Sequence, residues 1–246
     1  MAGPFDDLTI EQRLSIVRRG TAYYLGQVGL IPDDEFGEPS NLPGWDIAHL
    51  TAHVEYNAKA VTNLVYWALT GEEKPMYSSP TARGEEINFG ATLPPGAIRN
   101  LNDLHVIRLF KVWEKADGKA WEATVKTAQG RTVPMQETLW MRAREVWIHA
   151  VYLGKTARFS AMPDVFLRSL LPDIVGKWHS KGVGEGIVLV DDASGARWTV
   201  DDAVTPTTEV CGSVASPARW AAGRGFVGVH LAGTASGEVP APPRWL

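Results

Sequence analysis

The texture of this 246-residue chain changes near residue 155, from long helical segments to mostly short β-branched ones, and that change limits the folds open to it. From Thr9 to Leu153 the apolar residues recur every three or four positions in four long segments. That is the spacing of helices that bury one face. The first follows Thr9 through Ile10, Leu14, Val17, Tyr24, Leu25 and Val28, with Gln12 placed to complete a capping box and Gly26 weakening its end. The second is expected from Trp45–Asp46 to Thr70, with Gly71 at its C-cap. The third fits Pro95 to Ala116, opened by Pro94 or Pro95, and the fourth fits Pro134 to Leu153 and stops at Gly154. The connections are long. Residues 31–44 are turn-rich, and 71–93 read as loop with a short helical turn near Glu85. Residues 119–133 read as an extended pair about Gln129-Gly130. This pattern predicts a four-helix bundle.

Beyond about residue 155 the texture is different. One more helix fits Pro163 to Lys181, and then short β-branched segments follow at Gly186–Val190, Arg197–Val200 and Thr207–Cys211. A short helix (Ser216–Ala222) leads to the turn Gly223-Arg224-Gly225 and a proline-rich, extended end. Strands following helices predict an α+β unit. The fold class is therefore a helical bundle over residues 1–158, followed by a smaller α+β domain over 159–246.

Composition narrows the function. Lys and Arg number 24 against 28 Asp and Glu, a net charge of −4 with no basic run, so nothing marks a nucleic-acid partner. The start, MAGPFDDLTIEQR, has neither the basic nor the apolar region of a signal peptide, and no apolar run approaches a membrane span. A soluble, cytoplasmic protein is expected, with a monomer as the starting assumption. Cys211 is the only cysteine, which excludes an internal disulfide and any multi-cysteine zinc site. Any metal is then expected on His and carboxylate ligands.

Two helices carry such residues. In Trp140–Leu153 (WMRAREVWIHAVYL) the second half is apolar on every side except at His149, the mark of a buried helix. Glu145 and His149 stand at i and i+4 and share one face. A buried carboxylate needs a cation, a metal or strong donors. A Glu–His hydrogen bond, a pair with Arg142 and a metal site all satisfy that need. On the second helix, His49-Leu-Thr-Ala-His53 repeats the i, i+4 spacing, and both imidazoles fit either backbone-satisfied histidines or ligands. Taken together, the two helices offer the ligand set of a bundle zinc or iron site.

The stretch Asn41-Leu-Pro-Gly-Trp45, followed by HLTAH and Asn57, resembles the DinB-like helical bundle superfamily. More closely, EINFGATL, TAQGRTVP, ETLWMRAREVWIHAV, RWAAGRG and GEVPAPPRWL resemble the mycothiol-dependent maleylpyruvate isomerases, across both halves of the chain. The resemblance implies a catalytic zinc on His53, Glu145 and His149, with mycothiol as the thiol cofactor. It also implies that Arg224, in the AAGRG segment, is needed for activity. His49 falls one turn before the matched ligand and stays outside the set. The implied reaction belongs to gentisate-type aromatic degradation. The thiolate adds to the cis double bond of maleylpyruvate, the bond rotates, and elimination gives fumarylpyruvate.

Other residues carry less. Arg83, Arg142 and Arg144 fit either a carboxylate or sugar-thiol contact or an ion-paired face, and Cys211 reads as a small core residue. Two further functions remain open on the sequence: a mycothiol S-transferase acting on another electrophile, and a non-enzymatic bundle with buried structural histidines. Metal content separates the last from the other two.

Overall fold

A computed structural model describes residues 3–233 and 238–245; Gly237 and Leu246 of the GEVPAPPRWL end lie outside the described residues. The chain divides into two compact units, residues 10–157 and residues 1–9 with 158–246.

The first unit is a helical bundle. Its helices are α1 (Ile10–Gly29), α2 (Ile47–Thr70), α3 (Ala82–Ala91), α4 (Pro95–Trp113), α5 (Gly118–Glu122) and α6 (Glu137–Tyr152). Helix α2 is buried nearly all round from Ile47 to Val65 and packs against α3, α4 and α6. Its ends are sharply set. Asp46 accepts from the His49 N–H at 2.7 Å, and Gly71 closes the helix at φ 74°, a conformation that suits glycine. Helix α1 lies along α6, and Gly20 permits that approach: a Cβ there would stand 2.6 Å from the Trp147 indole nitrogen. Gly20→Ala is expected to lower the unfolding temperature. Displacing a rigid indole costs about 1–3 kcal/mol, which outweighs the roughly 1 kcal/mol gained in helix propensity. An unchanged or raised melting midpoint would show that the α1–α6 packing has slack.

Two stretches differ from expectation. The 71–93 connection holds a ten-residue helix, α3, where one turn was expected. Only Ala82, Ile87 and Gly90 are buried along it, too few for a visible helical period. Contact with α2 holds it instead, since a Cβ on Gly90 would meet Ala52 and Tyr56 at 2.9 and 2.7 Å. The segment expected as extended from residue 119 begins as α5, capped by Asp117 accepting from the Ala120 N–H at 2.9 Å. The hairpin follows as β1 (Thr124–Lys126) and β2 (Thr132–Pro134), with Val125 opposite Val133 and Gly130 in its turn at φ 79°. Pro134 thus belongs to β2, and α6 starts at Glu137.

The second unit combines α7 (Asp164–Ser180), β3 (Ile187–Asp191), β4 (Arg197–Thr199), β5 (Thr208–Gly212), α8 (Ala215–Ala221) and β6 (His230–Leu231). The sheet order is β4-β3-β5-β6, with β3 and β5 parallel and both outer pairs antiparallel. Val188, Leu189 and Val210 are fully buried, and α7 and α8 pack together through Trp178 and Trp220, whose rings meet edge to face at 6.0 Å. The tail is tied down: the Trp220 indole donates to the Pro240 carbonyl at 2.8 Å, and Lys181 Nζ donates to the Trp245 carbonyl at 2.9 Å. The chain's first residues join this unit, because Phe5 is buried and its N–H donates to Ser169 Oγ at 2.8 Å. Among the described residues, no helix is long and apolar enough to cross a membrane.

Candidate metal centre

Inside the bundle, α2 and α6 face one another with His53, Glu145 and His149 between them. One ligand-type atom from each lies within 4.8 Å of the others. His53 and His149 are 7% and 8% exposed, so the cluster is screened from bulk water. Trp45 stacks edge-on to His53 at 5.2 Å, Tyr152 to His149 at 5.2 Å, and the two imidazoles to each other at 4.9 Å.

A backbone hydrogen bond sets the tautomer of His149. His149 Nδ1 lies 2.8 Å from the Glu145 carbonyl oxygen, which can only accept. Nδ1 therefore carries the proton, and Nε2 presents its lone pair. Burial pushes the His149 imidazole down to about 4, with Glu145 pulling the other way and His53 adding to the fall, so the ring is neutral at neutral pH. For Glu145, burial raises the carboxyl. The His53 and His149 rings and Arg142 outweigh it and hold the group well below the usual carboxylate range. Glu145 is thus an anion beside the neutral His149 ring.

The cluster fits a divalent metal on its own geometry. Glu145 Oε1 is buried and lies 2.6 Å from His53 Nε2 and 3.7 Å from His149 Nδ1. A buried carboxylate needs a cation or strong donors, and a divalent ion held between these three side chains would meet that need. Two imidazoles and a carboxylate are the donors of a catalytic zinc, with one coordination position left over.

Of the neighbouring residues, His49 is held at the helix start, with Nδ1 2.8 Å from Asp46 Oδ1, outside the cluster. His49→Ala is accordingly expected to keep its full metal content in elemental analysis; loss of metal would mean the wrong histidine of HLTAH had been assigned. Arg142 is fully buried and donates through Nη1 to the Val54 carbonyl at 2.8 Å and to Asn57 Oδ1 at 2.9 Å. Burial lowers its pKa to about 10, opposed by Glu145, so it stays charged behind the carboxylate. Arg83, from the first turn of α3, places Nη2 3.3 Å from His53 Nδ1. The sequence offers it only alongside Arg142 and Arg144, because its place depends on how the 71–93 connection packs. Arg224 is carried by the other unit, on the turn after α8, between Gly223 at φ 74° and Gly225 at φ 102°. Its Nη1 donates to the Gly223 carbonyl at 3.1 Å.

Fold and cluster together define a DinB-like helical bundle with a His–Glu–His set able to hold a metal. Residues 17–153 match the family model of the mycothiol maleylpyruvate isomerase N-terminal domain, and the chain belongs to that family. The crystal structure of the mycothiol-dependent maleylpyruvate isomerase is 52% identical over 100% of both chains, with a TM-score of 0.91. The structure of a histidine-to-alanine mutant of the mycothiol-dependent maleylpyruvate isomerase matches equally, at 51% identity, full coverage of both chains and TM-score 0.91. No curated protein sequence matches significantly.

Proposed function

We propose that this chain converts maleylpyruvate to fumarylpyruvate, using mycothiol as cofactor and a zinc held by His53, Glu145 and His149. The observation that carries this reading is the coincidence of the buried His–Glu–His set with 52% identity, over the whole chain, to a mycothiol-dependent maleylpyruvate isomerase. When bound, zinc and mycothiol supply a thiolate near neutral pH for reversible addition across the cis double bond.

The chain's own residues prepare the site. The Glu145 carbonyl orients His149 by accepting a hydrogen bond from its Nδ1–H. The His53 ring, followed by His149 and then by Arg142, which Val54 and Asn57 fix in place, holds Glu145 ionised. The packed rings of Trp45 and Tyr152 limit water at the imidazoles. The nucleophilic sulfur is the cofactor's: Cys211 is buried, and burial followed by the Asp192 carboxylate pushes its thiol up. In the proposed division of labour the bundle holds the metal and the α+β unit supplies Arg224. A guanidinium grips a carboxylate with two donors and stabilises charge that builds on conjugated oxygens during addition.

Turnover of maleylpyruvate by the purified chain, with and without mycothiol, tests the reading. Product should form only with mycothiol. A chain that conjugates mycothiol to other electrophiles but leaves maleylpyruvate unchanged would be a transferase, and the proposal would fall.

A further inference from the structure

The α+β unit holds a second cluster of metal-ligating side chains, one that the proposed isomerisation leaves unused. Cys211 lies on β5, His230 on the adjacent β6, and Asp192 in the turn directly after β3, the other neighbour of β5. Cys211 on β5 pairs directly with His230 on β6, and directly opposed residues of an antiparallel pair project to the same face. On the other side of β5, β3 runs parallel, with Asp191 opposite Gly212. Asp192 follows at once, its N–H donating to the Gly212 carbonyl at 2.9 Å. Its carboxylate lies 3.9 Å from His230 Nε2. One ligand atom from each of the three residues lies within 4.8 Å of the others.

The chemistry and spacing of these atoms favour one class of ion. Sulfur, imidazole and carboxylate suit zinc and its close relatives, whereas magnesium and calcium take oxygen alone. Zinc bonds of about 2.0–2.3 Å set tetrahedral ligand atoms roughly 3.3–3.8 Å apart. The cluster therefore needs only a small contraction. The side chains that must move are free to do so, being 48% exposed for Asp192 and 56% for His230. Cys211 is the fixed point, 6% exposed within the strand, with its thiol donating weakly to the Glu209 carbonyl at 3.8 Å. Burial and the carboxylates of Asp192 and Glu209 disfavour a bare thiolate here. The same negative surroundings favour a cation, and metal binding would release the thiol proton to solvent as the sulfur–metal bond forms.

We propose that Asp192, Cys211 and His230 form a second site for a zinc-type divalent ion, set apart from the bundle cluster by its sulfur ligand. Two of its three ligands face solvent, so the fourth position belongs to water and the ion exchanges readily. The proposal rests on these residues alone and does not depend on the isomerase reading.

Cobalt titration of the metal-stripped full chain tests it. A thiolate ligand produces a sulfur-to-cobalt charge-transfer band in the near ultraviolet, and His53, Glu145 and His149 contain no sulfur to produce one. The wild type should show this band, and His53→Ala should keep it while losing the bundle's equivalent of metal. Cys211→Ser should abolish the band and one equivalent of cobalt, with unchanged far-ultraviolet circular dichroism. His230→Ala, at an exposed position that spares the core, should shift the band's midpoint at least about tenfold to higher cobalt. A wild-type titration without the band would overturn the proposal. So would a band that survives in Cys211→Ser, or a midpoint unmoved in His230→Ala.

Discussion

The His53→Ala chain is expected to fold, to lose the bundle's equivalent of metal and to lose its turnover with it. Helix α2 does not depend on the imidazole for its place, since Leu50, Val54, Val61, Leu64 and Val65 are fully buried along it. Truncation should cost at most about 3 kcal/mol of stability, the common range for a single substitution. The metal is another matter. Removing even a supporting partner of a ligand weakens metal binding about 10–100-fold, so removing one of three ligands should cost at least about 100-fold. Glu145 would also lose its closest imidazole, 2.6 Å away. Elemental analysis, circular dichroism and mycothiol-supported turnover read the three parts separately. Metal retained at the wild-type level in His53→Ala would remove His53 from the ligand set.

Arg224→Ala is expected to keep both fold and bundle metal and to lose most of its rate. The turn that carries Arg224 is held by another residue. Arg219 Nε donates to the Arg224 carbonyl at 2.6 Å, and the Arg224 N–H donates to the Arg219 carbonyl at 2.9 Å. Both bonds use the backbone of Arg224, so truncating its side chain leaves them in place. The loss then reports on the guanidinium itself. If it stabilises charge in the transition state, its removal costs about 10²–10³ in turnover. Arg224→Lys should recover little, because an ammonium is a point charge without the planar pair of donors. Near-normal turnover in Arg224→Ala would take the residue out of the mechanism.

Helices with caps and a full hydrophobic period are legible in the amino-acid sequence alone. Helix α2 has Asp46 and Gly71 at its ends, and α7 begins behind Pro163, so their bounds can be read closely. Helix α3 escapes such a reading because its apolar face is sparse and its stability lies in the contact of Gly90 with α2. The placement of residues 1–9 escapes for a similar reason: Phe5 has no local pattern, only a distant partner in Ser169. At the bundle cluster, the i, i+4 spacing puts Glu145 and His149 on one face. Spacing alone cannot choose between His49 and His53. The choice becomes physical only through Asp46, which holds His49 at the helix start. Arg83 and the Asp192–Cys211–His230 group depend on tertiary packing and strand register, which local periodicity does not encode.

The most direct test of metal-and-thiol catalysis is fumarylpyruvate formation by one preparation of the chain, stripped of metal with a chelator and then given back zinc, with mycothiol present throughout. Negligible product is expected from the stripped protein, and recovery to the untreated rate with one equivalent of zinc. Full turnover by the metal-free chain, or no turnover after zinc is restored to folded protein, would contradict a zinc-dependent mechanism.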